Sequence, residues 1–190
     1  MRLATLLAAL LALAAAAVSC SDGSKAEPTA TPAPTATVPP SPQPTLTPYT
    51  NAEFKVQLQY PVDWVPDPQY AANIGGGVDE MYRDARGREY GFFQVNAANA
   101  PGTLDDVAQG EANHLLKPFG EHPEIERVTV GGKEARLILP ESSAPEPFTA
   151  ELIVPYQASL FIAGSTYSFL IIYGHVDFIR GIAATMAVTG

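Results

Sequence analysis

The chain contains a single cysteine, Cys20, in its 190 residues. No internal disulfide can form, so whatever folds here must be held by a hydrophobic core. The position of that cysteine adds a second constraint. Leu3 to Val18 consists of leucine and alanine apart from Thr5 and Val18, follows Arg2, and ends in small residues. This is the basic, apolar and cleavage-site order of a secretory signal. The run falls short of the roughly 20 apolar residues a transmembrane helix needs. Residues 1–19 therefore read as a signal peptide.

Ala17-Val18-Ser19-Cys20 resembles the bacterial lipobox, in which the thiol takes a diacylglycerol and cleavage occurs just before it. The match departs from the favoured pattern at Ala17, where leucine is usual. The resemblance implies a lipid on Cys20 and a membrane as one partner. It places the protein on the extracytoplasmic face of a bacterial membrane. Two or three acyl chains, each methylene contributing about 0.8 kcal/mol, make such an anchor stable.

From Ser21 to Pro48 the composition turns to proline, threonine, alanine and serine, with only Asp22, Lys25 and Glu27 charged. Such a stretch cannot bury enough apolar surface to offset the entropy of ordering it. Its prolines favour an extended chain that reaches up to roughly 80 Å at about 3.1 Å per residue. Residues 20–48 thus read as a lipidated cysteine followed by a disordered linker, and 49–190 as one domain of ordinary size. With Arg2 removed, ten basic residues face twenty acidic ones, a formal charge of −10. That balance disfavours nucleic acid as a partner.

Within the domain, Phe54 to Tyr60 alternates apolar and polar residues, as a strand buried on one face requires, and Pro61 ends it. Trp64 is expected to close the first loop onto the core. A hairpin follows, with arms near Gly76 to Arg83 and Glu89 to Asn96 and a turn about Arg86-Gly87. Gly75-Gly76-Gly77 lacks the trailing Lys-Ser/Thr of a phosphate loop and reads as a strand entry. Thr103 and Asp106 are spaced as a capping box. The stripe Leu104, Val107, Ala108, Leu115, Leu116 and Phe119 predicts a helix bounded by Pro118. Strands are expected at Ile125 to Val130 and Glu134 to Leu139, joined by Gly131-Gly132. Pro140 to Pro147 reads as a loop. Further strands are expected at Phe148 to Val154, Leu160 to Ala163 and Tyr167 to Tyr173, with a turn at Gly164-Ser165. Asp177 then reads as the cap of a helix carrying Phe178, Ile179, Ile182, Ala183 and Met186. The order gives an α+β fold, an antiparallel sheet covered by helices.

Tyr49 to Trp64, with its Tyr60-Pro61-x-x-Trp64, resembles the opening of PsbP-like domains. The Gly131-Gly132 hairpin, the aromatic strand Tyr167 to Tyr173 and the terminal helix fit the same plan. The resemblance implies an α/β/α sandwich around a mainly antiparallel sheet, in a superfamily shared with a nuclear import factor that binds Ran. It implies a binding or assembly role more than an enzymatic one, and members include a photosystem subunit and a cyanobacterial lipoprotein. Function does not transfer with a fold, and no residue match identifies a photosystem-binding surface.

No catalytic constellation or cofactor motif stands out. Glu111 and His114 make one E-x-x-H, where a dimetal bundle site needs a second such pair. His122 reads as a loop residue. His175 near Asp177 is the one weak metal or proton-linked candidate. Ser165 belongs to turn chemistry, as no G-x-S-x-G elbow surrounds it. Asp105 and Asp106 diverge on a helix, while Glu124 and Glu126 share a strand face and read as a solvated edge. The expectation is a non-catalytic domain docking to a protein or assembly at the membrane. The alternatives are a receptor for a small ligand or metal, with Gly75 to Gly77, Tyr82, Tyr90 and Tyr173 bordering a pocket, and a photosystem-associated subunit.

Overall fold

The computed structural model describes residues 44–67, 80–162 and 164–189. Cys20, Gly75 to Gly77 and Ala163 lie outside them. The chain forms β1 (Leu46–Asn51), β2 (Val56–Pro61), β3 (Trp64–Pro66), β4 (Glu80–Asp84), a 3-10 turn at Arg88–Tyr90, and β5 (Phe92–Ala98). These are followed by α1 (Leu104–Ala112), β6 (Glu124–Val130), β7 (Lys133–Leu139), β8 (Thr149–Ile162), β9 (Ser165–His175), α2 (Val176–Ala183) and β10 (Ala187–Val188). The main sheet has the order β3-β4-β5-β9-β8-β7-β6, and a small sheet has the order β1-β2-β10. Every pairing is antiparallel.

The α+β class follows from how the central strands alternate. Leu152 and Ile172 face one core while Ile153 and Ile171 face the other. A strand with both faces apolar must be covered on both sides. One face takes α1, through Val107, Ala108 and Ala112 against Ile138, Ile153 and Phe169. The other takes α2 together with the small sheet, through Ile179, Val56, Leu58 and Phe54. The second layer is thus part helix and part sheet. The buried Tyr156 hydroxyl ties the two sheets together by donating to the Phe54 carbonyl at 3.1 Å.

Several local readings hold. Thr103 caps α1 and accepts from the Asp106 N–H at 3.2 Å, while the Asp106 carboxylate accepts from the Thr103 N–H at 2.8 Å. Gly131 and Gly132 have φ of 55° and 82°, the positive values that a two-residue hairpin turn demands. β6 is an edge strand of the main sheet, with Glu124 exposed on it.

Other boundaries move. The first strand starts at Leu46, so Leu46, Thr47 and Pro48 belong to the domain, ahead of the Tyr49 boundary. Pro48 is tolerated because β1 is an edge strand of the small sheet. α1 ends at Ala112 and does not reach Phe119. Asn113 supplies the C-cap, Lys117 turns at φ 49°, and Pro118 disfavours helix before it. Leu115 and Leu116 are consequently 93% and 80% exposed, while Phe119 enters the core from a loop. Glu89 and Tyr90 fall in the 3-10 turn, ahead of the strand. Phe148 to Val154 and Leu160 onward merge into β8, whose register shifts between Pro155 and Leu160 because Pro155 has no ladder donor to give. The N-cap of α2 is His175, with Asp177 in its first turn.

Replacing Thr103 with alanine is expected to cost about 1 kcal/mol and to lower the unfolding midpoint by about 3 °C. A thermal melt followed by circular dichroism measures it.

Candidate functional site

Tyr60-Pro61-Val62-Asp63-Trp64 carries the chain from the small sheet to the main one. β2 ends at Pro61, the Val62 N–H donates to the Thr45 carbonyl at 2.9 Å, and β3 opens at Trp64. The indole is 9% exposed and lies against Phe178 at 4.8 Å and Phe93 at 6.0 Å between ring centroids. Gly91 lies beneath it at φ 152°, where a Cβ would overlap the ring. Trp64 is therefore the core anchor expected from the sequence. One edge of that anchor forms the floor of a cleft.

The cleft encloses about 400 Å³ between the start of the domain, the 3-10 turn and α2. Pro44, Leu46, Gln59 and Pro61 form one wall, and Phe178, Gly181, Ile182 and Thr185 the other. Tyr90, His175 and Asp177 stand at it as well. The lining is mainly apolar, and Leu46 and Tyr90 are about half exposed (49% and 54%). Val62 and Val65, next to Pro61 and Trp64 in sequence, are also exposed.

An ion-pair network holds the Tyr90 turn in place. Asp84 is buried and accepts from the Arg86 backbone N–H at 2.8 Å and from its guanidinium at 2.8 and 2.9 Å. Arg86 in turn lies 4.3 Å over the Tyr90 ring, a cation–π contact. Asp67, also buried, accepts from Arg88 at 2.8 and 3.0 Å. The hydrogen bonds from Arg86 hold the Asp84 carboxyl below its ordinary value of 3.8.

The expected polar residues are scattered. His175 Nδ1 and Asp177 Oδ2 are 3.9 Å apart, with the Asp177 side chain 89% exposed. Among the described residues no group of three or more His, Cys, Asp or Glu is placed to hold a metal ion. Asp105 pairs with Arg136 of β7, whose guanidinium also reaches Glu134, and so pins the start of α1 to the sheet. Asp106 is consumed by the cap. Ser165 opens β9 on an exposed turn, and His122 is an exposed loop residue. The aromatic pocket anticipated from Tyr82, Tyr90 and Tyr173 does not assemble. Tyr82 stacks on Phe93 at 5.3 Å within the core, while Tyr173 lies against Phe92 and Phe119 in the core beneath α1. Strand alternation sends these rings to different faces. Glu111 and His114 do line one cavity, with a residue that sequence reasoning passed over. This is Glu151, the single charge inside Phe148 to Val154.

The fold and cleft define an α+β domain with a mainly antiparallel sheet, helices on both faces and an apolar groove beside its entry strand. Compared with family models and with curated proteins, the sequence matches none. Among solved structures it is similar to the solution structure of cyanobacterial PsbP (CyanoP) from Synechocystis sp. PCC 6803. The identity is 14% and the TM-score 0.49, over 82% of this chain and 99% of that one.

Trp64→Ala is expected to lose about 3–5 kcal/mol of stability by opening a cavity under the cleft, which urea denaturation reads directly. A second expectation concerns acid. Because Asp84 is more acidic folded than unfolded, its contribution is present above about pH 3.8 and disappears as pH falls through the lower folded value. Asp84→Asn should flatten the acid limb of a stability–pH curve in that window.

Proposed function

We propose that this chain is a lipid-anchored extracytoplasmic protein whose domain docks, without catalysis of its own, onto an apolar segment of a protein partner at the same membrane. The observation that carries the reading is the apolar cleft beside Leu46 and Tyr90. A contiguous exposed apolar surface of this kind marks an interaction site more often than a solvated one. Few polar groups line it, and none is arranged as a nucleophile with its base.

The N-terminal sequence supplies the tether. The lipobox-like Ala17 to Cys20 and the proline-threonine stretch to Gln43 lead directly to Pro44, which lines the cleft. An anchored domain searches for membrane partners at a raised effective concentration, so a modest interface suffices. Acidic composition disfavours nucleic acid and anionic lipid as the surface being met. Among the described residues no helix is long and apolar enough to cross a membrane.

Cys20→Ala should leave the domain folded and move the protein from the membrane to the soluble fraction on sedimentation. Continued membrane association would refute the anchor. A photo-crosslinking side chain at Tyr90 should trap one discrete membrane-associated protein in the native host, and Leu46→Glu should abolish the adduct. The same crosslinker at Phe161, 75% exposed at the tip of the β8–β9 hairpin, is the control. Equal labelling from both positions would refute docking at the cleft.

A further inference from the structure

On the opposite face of the main sheet, β8 places a carboxyl group where strand alternation calls for an apolar side chain. Glu151 is paired with Ile138 of β7 and Tyr173 of β9, in the middle of the sheet, and shares the face of Ile153. It is 5% exposed. Its Oε1 has no hydrogen-bond partner among the described residues and is the one such buried side-chain atom among them. An unpartnered buried carboxyl oxygen is costly, and each such group asks for an explanation.

Glu151 lines a cavity of about 250 Å³ with Glu111, His114, Leu116, Pro118, Phe119 and Tyr173. Burial, and then the neighbouring charge of Glu111, raise the Glu151 carboxyl well above its ordinary value. Among the described residues neither glutamate takes part in an ion pair. Two carboxyl groups and two aromatic rings therefore line one small space.

We propose that this cavity binds a small organic cation, a primary ammonium carried on a short apolar body, with Glu151 and Glu111 as its acceptors. An ammonium has three donors and no acceptor, so one group satisfies the orphaned oxygen and supplies the positive charge that offsets both carboxyls when ionised. Aromatic faces attract a cation, and Phe119, Tyr173, Leu116 and Pro118 offer walls to the apolar body. A neutral alcohol would fill the hydrogen bond without offsetting any negative charge, while an anion would add to it. A metal ion would need more ligands than this pair and His114 bring into register, since no described grouping of three can hold one. A bound ammonium favours the ionised form of Glu151, which burial otherwise disfavours. The site lies on the α1 side of the sheet and stands independently of the docking cleft.

Calorimetric titration of the full-length chain in detergent, with propylammonium as probe and propanol, propionate and zinc as comparisons, tests the site. The expected result is saturable propylammonium binding. Glu151→Gln, close in shape to the acid, should weaken binding by about tenfold or more. Glu111→Gln, on a half-buried helix position, provides a second variant that leaves the sheet intact and should also weaken binding. No saturable propylammonium heat, equal binding of propanol, binding of zinc alone, or unchanged affinity in both variants would overturn the proposal.

Discussion

Burial of β8 and β9 on both of their faces is what every other part of this fold answers to. With no disulfide available, the main sheet can persist only if both of its apolar faces are removed from water. Ile171 and Ile153 demand α1, and Ile172 and Leu152 demand α2 with the small sheet. Each covering layer is also tied to the sheet by specific polar contacts. Arg136, buried on β7, holds Asp105 at the start of α1. Tyr156 reaches across the second core to the backbone at Phe54. These contacts set register where apolar packing alone is permissive.

That arrangement also decides where function can reside. The covering layer on the α2 side has two components, helix and small sheet, and the seam between them is the cleft floored by Trp64. On the α1 side, among the described residues, one short helix covers the sheet, and because it stops at Ala112 the space beyond its end becomes the cavity holding Glu151. Both sites are thus consequences of incomplete coverage. They differ in chemistry because the α2 seam is lined mostly by apolar side chains and prolines, while the end of α1 brings two carboxyls together.

Much of this organisation was legible in residue order. The Thr103–Asp106 cap and the Gly131-Gly132 turn are local signals and both hold; the alternation read from Phe54 also persists, although the strand opens only at Val56, after a turn in which Lys55 takes φ 56°. The lapses share a cause. Leu115, Leu116 and Phe119 continue a helical stripe on paper, yet Asn113, Lys117 and Pro118 stop the helix first, and only Phe119 finds the core. Pro48 ends the linker read from composition and Pro155 follows the strand read to Val154, yet both lie within strands, accommodated by an edge position and a register shift. Glu151 carried a readable signal, one acid amid Thr149, Ala150, Leu152, Ile153 and Val154, but its meaning required knowing that both faces of that strand are buried.

Residue order alone was enough for the α+β class, and it carries the expectation of a leader, a linker and a lipid on Cys20, because composition and short-range periodicity depend on neighbours in the chain. It took the folded arrangement to show that Leu46, Tyr90 and Phe178 share one cleft and that Tyr82 and Tyr173 do not share a pocket. The same holds for Glu111, His114 and Glu151, which line one cavity at the end of α1. Those groupings arise from strand order and from which face each side chain takes, and residues far apart in the chain carry no local mark of either.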